Sequence, residues 1–112
     1  MSILKGNQPI AEAVPETSNQ LETPIKITVV VCTRNRGDSS VQALETIFEN
    51  TYPNYEVILV DQSTNRDTEL AIAPFKKYPN FRYIHSETKG TGRSRNIGLF
   101  NAEGEIVAYT DD

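Results

Sequence analysis

The sequence predicts an α/β fold: an open, mainly parallel sheet with helices on its faces, Rossmann-like in layout. Two observations carry this. Short runs rich in β-branched residues recur at positions 27–31, 56–60 and 105–109, and between them lie stretches whose apolar residues fall at helical spacing. Strands that alternate with helices require crossover connections, and crossovers build parallel sheets. A length of 112 residues fits one domain or part of a larger one.

Each element follows in order. Residues 1–24 are polar and broken by Pro9, Pro15 and Pro24, which predicts a flexible arm ahead of a body spanning 25–112. Residues 27–31 form the first strand, a β-branched run with the look of a strand buried on both faces. Val41, Leu44 and Phe48 then recur at helical spacing behind Asp38 and Ser39, and Ser39 with Gln42 fits a capping box. That helix stops near Asn50, because Tyr52-Pro53-Asn54 is a turn signal. A strand at 56–60 follows, then a helix over 67–77 carrying Leu70, Ile72 and Phe75. Pro74 inside it predicts a kink or an early stop. Residues 81–85 are a weaker strand signal, and 91–101 a third helix, closed by Gly104 as a left-handed cap before the strand at 105–109.

Composition narrows the partners. Hydrophobic residues make up 38% and charged residues 23%, a balance that supports a buried core. Eleven basic and fifteen acidic residues leave a net charge of −4, which disfavours nucleic-acid or anionic-membrane binding driven by total charge, although local basic clusters remain open. Cys32 is the single cysteine, so no intrachain disulfide and no cysteine-based zinc cluster can form. No stretch approaches the roughly 18 apolar residues of a membrane-spanning helix.

In open parallel sheets, ligands sit outside the carboxyl ends of the strands. After the first strand stands Cys32-Thr33-Arg34-Asn35-Arg36, with a hydroxyl, an amide and two guanidinium groups suited to phosphate or nucleotide contact. Capping of the next helix accounts equally well for its polar residues. Asp61 ends the second strand, where a carboxylate can accept hydrogen bonds from a base or ribose, or cap the helix that follows. The stretch from Lys89 to Gly98 places Gly90, Gly92, Arg93 and Arg95 at a helix start. Its glycine spacing fits neither the dinucleotide fingerprint, which needs glycine where Arg95 stands, nor a P-loop. What it offers is a set of free backbone donors and cations for an anionic ligand, with Arg95 and Asn96 either touching that ligand or bracing the loops around it. Asp111 and Asp112 follow the last strand. Adjacent carboxylates repel, and a divalent cation with a taste for oxygen ligands relieves the repulsion. Cys32 is expected to pack as a small hydrophobe, and His85 to be structural.

The ordered set is Val31-Cys32-Thr33-Arg34-Asn35-Arg36, the run Tyr52 to Ser63 with Asp61, the segment Gly90 to Gly98 with Arg95-Asn96, and the run Ala102 to Asp112. It resembles the amino-terminal half of a family 2 glycosyltransferase with the GT-A fold, ending after the fourth strand. The resemblance implies that Thr33, Asn35, Arg36, Asp61, Arg95, Asn96 and Asp111 bind the nucleotide sugar, with Asp61 reading the base. Asp111 and Asp112 resemble the start of the family's Asp-x-Asp motif, which would hold Mg²⁺ or Mn²⁺ against the ribose and diphosphate. Gln62 departs from the pattern, since the family often carries a second acidic residue there.

By the same resemblance, the reaction is an inverting, metal-assisted transfer of a sugar from a nucleoside-diphosphate sugar, foremost a UDP-sugar, to a hydroxyl of a glycan or other acceptor. No catalytic residue is assigned within the chain. The general base, the acceptor half and any membrane attachment are expected beyond Asp112, and the location expected is cytoplasmic, at the membrane face if the native chain is longer. Two other readings stay open at this point: a non-catalytic nucleotide-binding module, and a nucleotidyltransferase of related fold.

Overall fold

The computed structural model describes residues 2–5 and 24–111, with residues 2–5 and Asp111 described through their backbone alone. The described strands are β1 (Ser2–Lys5), β2 (Ile27–Thr33), β3 (Tyr55–Asp61), β4 (Phe81–His85) and β5 (Ile106–Asp111). The helices are α1 (Gly37–Phe48), α2 (Asp67–Ala71) and α3 (Thr91–Asn101), with a 3-10 turn at Ala73–Lys77. The strands form one sheet in the order β1-β5-β2-β3-β4. β5, β2, β3 and β4 run parallel, and β1 pairs antiparallel to β5, with Ser2 opposite Tyr109 and Lys5 opposite Ile106.

The parallel part follows from the strand sequences. Val29, Val31, Val57, Leu59 and Phe81 point to one face, where Leu44 of α1 and Ile72 complete a buried cluster. An aromatic group closes this layer, and the rings of Phe48 and Tyr78 stack at 4.2 Å between centroids. Val30, Ile58, Val60 and Val107 point to the other face, with Ile97 of α3, Cys32 and Tyr109 packed against them. Cys32 therefore packs as a small apolar residue, half-buried.

Three details differ from the sequence-based expectation. Ser2–Lys5 is a strand on the outer edge of β5, within the stretch read as an arm. α1 begins at Gly37 with no side-chain cap, so the Ser39–Gln42 capping box does not form. Instead the hydroxyl of Ser40 is drawn inward, donating to Thr33 Oγ1 at 2.9 Å. The 67–77 helix, by contrast, makes the early stop expected from Pro74, ending at Ala71 and continuing as the 3-10 turn. Finally, Gly90 is the glycine with positive φ, +100°, so Gly104 is no left-handed cap. Gly104 is required sterically, because a β-carbon there would stand 2.6 Å from the Thr28 backbone nitrogen.

A polar latch joins the amino ends of the strands around Glu56, which is 5% exposed. The Thr28 hydroxyl and the Glu103 N–H each donate to Glu56 Oε2 at 2.7 Å, and Arg82 reaches Oε1 at 3.1 Å. Arg82 also donates to the Asn101 carbonyl at the end of α3, at 2.5 Å. Strands β2, β3 and β4 and the α3–β5 connection are thus fastened at one end of the sheet, and the opposite end carries the loops.

Candidate functional site

At the carboxyl ends of β2 and β3 two cavities open side by side. One, of about 420 Å³, is lined by Cys32, Thr33, Arg34, Arg36, Gln62, Thr91 and Ser94. The other, of about 340 Å³, lies between the ends of β3 and β4 and includes Arg34, Gln62, His85, Thr88 and Lys89 in its wall. Arg34 and Gln62 belong to both, so the two form one cleft. Its position is the topological switch point, since β2 pairs with β3 on one side and β5 on the other, while α1 and α3 cover opposite faces.

The cleft is electropositive in a chain of net charge −4. Arg34, Arg36, Arg66 and Lys89 line it, against the carboxylate of Glu87. Among the described residues, no ion pair involves Arg34, Arg36 or Lys89, whereas Arg66 meets Glu69 at 3.3 Å. The first turn of α3 adds backbone N–H groups beside Thr91, where Gly90 turns the chain with its positive φ. Cations and the backbone amides of a helix start around a cleft of this size suit an anionic ligand.

Gln62 is held by its own amide. Its Nε2 donates to Thr88 Oγ1 at 3.1 Å and to the Gly90 carbonyl at 3.2 Å. A backbone carbonyl can only accept, which fixes the amide nitrogen towards Gly90 and leaves Oε1 as the acceptor for a ligand.

The residues expected from the sequence divide into groups. Thr33 and Arg36 line the larger cavity. Asn35 lines neither: its backbone N–H donates to Ser63 Oγ at 2.7 Å, and its Oδ1 accepts from the Thr64 N–H at 3.1 Å. It adopts φ +56°, a left-handed conformation that asparagine tolerates better than most residues. Asp61 is fully buried and lines neither cavity. Its Oδ1 accepts from the Ser63 N–H at 2.9 Å and its Oδ2 from the Tyr83 hydroxyl at 2.7 Å. The carboxylate expected to read the base is therefore turned into the protein, and the next residue, Gln62, faces the cleft. Burial, together with the bond to Asp61 and its negative charge, pushes the Tyr83 hydroxyl well above the usual phenol range, so it stays a donor.

Arg95 lies over the Tyr109 ring, 5.5 Å from its centroid, bridging α3 to β5, and Asn96 is exposed on α3. Neither lines the two cavities. His85 lines the smaller one, with Nε2 3.1 Å from the Ser63 carbonyl. Asp111 pairs in register with Cys32, which places the end of β5 beside the larger cavity. Its side chain, and all of Asp112, lie outside the described residues. The oxygen donors of an Asp-Asp pair at that strand end fit Mg²⁺ or Mn²⁺.

No local sequence signal separates Gln62 from Asp61 as the residue facing the cleft, because the inward turn of Asp61 is set by its bond from the Tyr83 hydroxyl.

A parallel sheet with helices on both faces and a basic cleft at its switch point places the chain among the open α/β domains. Comparison with known proteins makes this specific: residues 28–112 match Glycosyl transferase family 2, and the chain belongs to that family. A glycosyltransferase of Rickettsia felis, itself uncharacterized, is 26% identical over 98% of this chain, and the match spans 19% of that protein's length. Among solved structures, Staphylococcus aureus TarS 1–349 in complex with UDP-GlcNAc superposes with a TM-score of 0.66 at 29% identity, covering 78% of this chain and 26% of that 1–349 chain. The mannosyltransferase PcManGT of Pyrobaculum calidifontis, in complex with GDP-Man and Mn²⁺, superposes with a TM-score of 0.70 at 27% identity, covering 84% of this chain and 32% of that one. The fold is thus the amino-terminal half of the GT-A arrangement. Family membership also decides against the nucleotidyltransferase reading. No helix of the described residues is long and apolar enough to cross a membrane.

Proposed function

We propose that the cleft holds the nucleotide of a sugar donor, and that the protein to which this chain belongs transfers that sugar to an acceptor hydroxyl. The observation that carries the reading is the convergence of Arg34, Arg36, Gln62 and the α3 amino terminus on one cleft at the switch point. The relatives solved with UDP-GlcNAc and with GDP-Man support a nucleotide-sugar donor, and UDP is the nucleotide we favour.

Neighbouring strands lie about 4.8 Å apart, so the cleft runs about 12 Å from the end of β5 to the gap between β3 and β4. In this reading the diphosphate lies at the β5 end, against Arg36 and the first turn of α3. The base lies towards Gln62 and Thr88, where Gln62 Oε1 accepts its ring N–H. Asp111 and Asp112 would hold Mg²⁺ or Mn²⁺, which neutralises charge on the departing diphosphate. The chain's own cations stabilise the same developing charge, an effect enhanced where water is excluded. Attack by the acceptor hydroxyl on the anomeric carbon would break the bond to the diphosphate with inversion, with the base that takes the hydroxyl proton expected beyond Asp112.

Titration calorimetry of the chain with UDP, with and without Mn²⁺, tests the reading. Binding strengthened by Mn²⁺ and weakened about tenfold or more in Gln62→Ala is expected. No heat from UDP, UDP-GlcNAc or GDP-mannose at millimolar concentration, in a folded sample, would overturn it.

A further inference from the structure

Asp61 presents an unusual problem, a carboxylate with no exposed surface and no ion-pair partner among the described residues. Such a group persists only if donors satisfy it. Two do, the Ser63 N–H and the Tyr83 hydroxyl, one on each oxygen. The Asp61–Ser63 contact is an Asx-type turn that bends the chain directly after β3. It also aims Ser63, whose hydroxyl accepts from the Asn35 N–H at 2.7 Å and meets Thr68 Oγ1 at 3.1 Å. Asn35 sits in a left-handed conformation between Arg34 and Arg36, the two guanidinium groups that line the cleft. A non-glycine residue keeps that conformation only where its surroundings hold it.

We infer that Tyr83 is a positioning residue for the nucleotide cleft: through the buried relay Asp61–Ser63–Asn35 it sets the loop that presents Arg34 and Arg36. Tyr83 lines neither cavity, so its influence passes through Asp61. The raised proton affinity of its hydroxyl keeps it donating throughout the ordinary pH range. The inference rests on the reading of the cleft as the nucleotide site, and the relay itself can be tested without nucleotide.

Tyr83→Phe keeps the ring and removes the donor. In the nucleotide-free protein, amide hydrogen exchange at Ser63 and Asn35 should quicken about tenfold, while Val30 and Ile58 in the core strands keep their protection. Unchanged exchange at Asn35 would overturn the relay. If the variant fails to fold, Ser63→Ala breaks the next link and is read at the same Asn35 amide. The functional part is a double-mutant cycle on UDP–Mn²⁺ affinity with Arg34→Gln. Coupling between the two positions of about threefold or more is expected, since Tyr83 acts by placing Arg34. A stability role alone would leave the two losses additive, which would overturn the positioning role. If wild-type chain binds no UDP, the nucleotide reading falls and the positioning role with it, whereas the exchange result still decides whether the relay exists.

Discussion

Gly98 of α3 lies against Val30 of β2 with no room between them: a β-carbon on Gly98 would stand 2.3 Å from Val30 Cγ1 and 2.9 Å from its Cγ2. Val30 is fully buried at the centre of the sheet and cannot move aside. The buried contact stripe of α3 consists of Ser94 and Gly98, and this brings the helix axis close to the strands and its first turn to the cleft.

Gly98→Ala should therefore lift α3 from the sheet. Overpacking of this kind costs about 2 kcal/mol, roughly a 10 °C fall in Tm for a domain of this size. Gly92→Ala, one turn and a half earlier with nothing within 4 Å of the added carbon, should be neutral or slightly stabilising. Thermal unfolding of the two variants side by side checks the pair. Equal Tm values would mean that the α3–β2 contact relaxes freely.

The Glu56 latch makes stability depend on pH. Burial alone would raise the Glu56 pKa, but the Glu103 N–H, the Thr28 hydroxyl, Arg82 and Lys26 together outweigh it and hold the carboxylate below its usual value of 4.5. A group whose folded pKa is depressed contributes stability that is present above the unfolded value and is lost as pH falls through the folded one. Denaturant unfolding between pH 7 and pH 3 should show wild type losing stability below about pH 4.5, with a shallower loss in Glu56→Gln. At pH 7, Glu56→Ala should cost about 2 kcal/mol, less than a fully buried ion pair would, because Arg82 keeps 38% of its side chain in water.

The parallel strands were legible because a strand buried on both faces is nearly continuous in apolar residues, and 27–31 and 56–60 are, apart from Thr28 and Glu56, which satisfy each other in the latch. The third helix was read to its observed bounds, Thr91–Asn101. Illegible features were those set by contacts distant in sequence. The Ser39–Gln42 box is locally sound, but the partner that Ser40 finds at Thr33 and the packing of Gly37 against Ala71 start the helix earlier. Gly104 looks like a cap to any local rule, and only the position of Thr28 reveals that it is glycine for space. β1 carries no signal that four residues could show apart from β5, because an edge strand is defined by its neighbour. At the site, Asp61 has the composition of a ligand residue, and its inward turn depends on Tyr83, 22 positions away.

Removal of residues 1–5 should change association more than stability. β1 covers the outer edge of β5, and without it the N–H and C=O groups of that edge lack partners. The shortened chain is expected to self-associate with rising concentration in analytical ultracentrifugation, while the intact chain sediments as a monomer under the same conditions. Identical sedimentation of both would show that the β5 edge is protected by other means.

The two acidic sites should fail in different ways. Asp61→Asn keeps size and burial but puts an amide NH₂ where one of two donors, the Ser63 N–H or the Tyr83 hydroxyl, already points. One buried donor then loses its acceptor, at a cost of about 1–3 kcal/mol, and the Asn35 loop loosens. UDP affinity should fall by a similar factor with Mn²⁺ and without it, since the loss is in the shape of the cleft. Asp112→Ala, at the proposed metal position, should leave metal-free affinity unchanged and abolish the gain from Mn²⁺. Calorimetric titrations of both variants under both conditions decide the matter. Loss of the Mn²⁺ gain in Asp61→Asn alone would mean that the buried carboxylate, and not the strand-end pair, governs the metal.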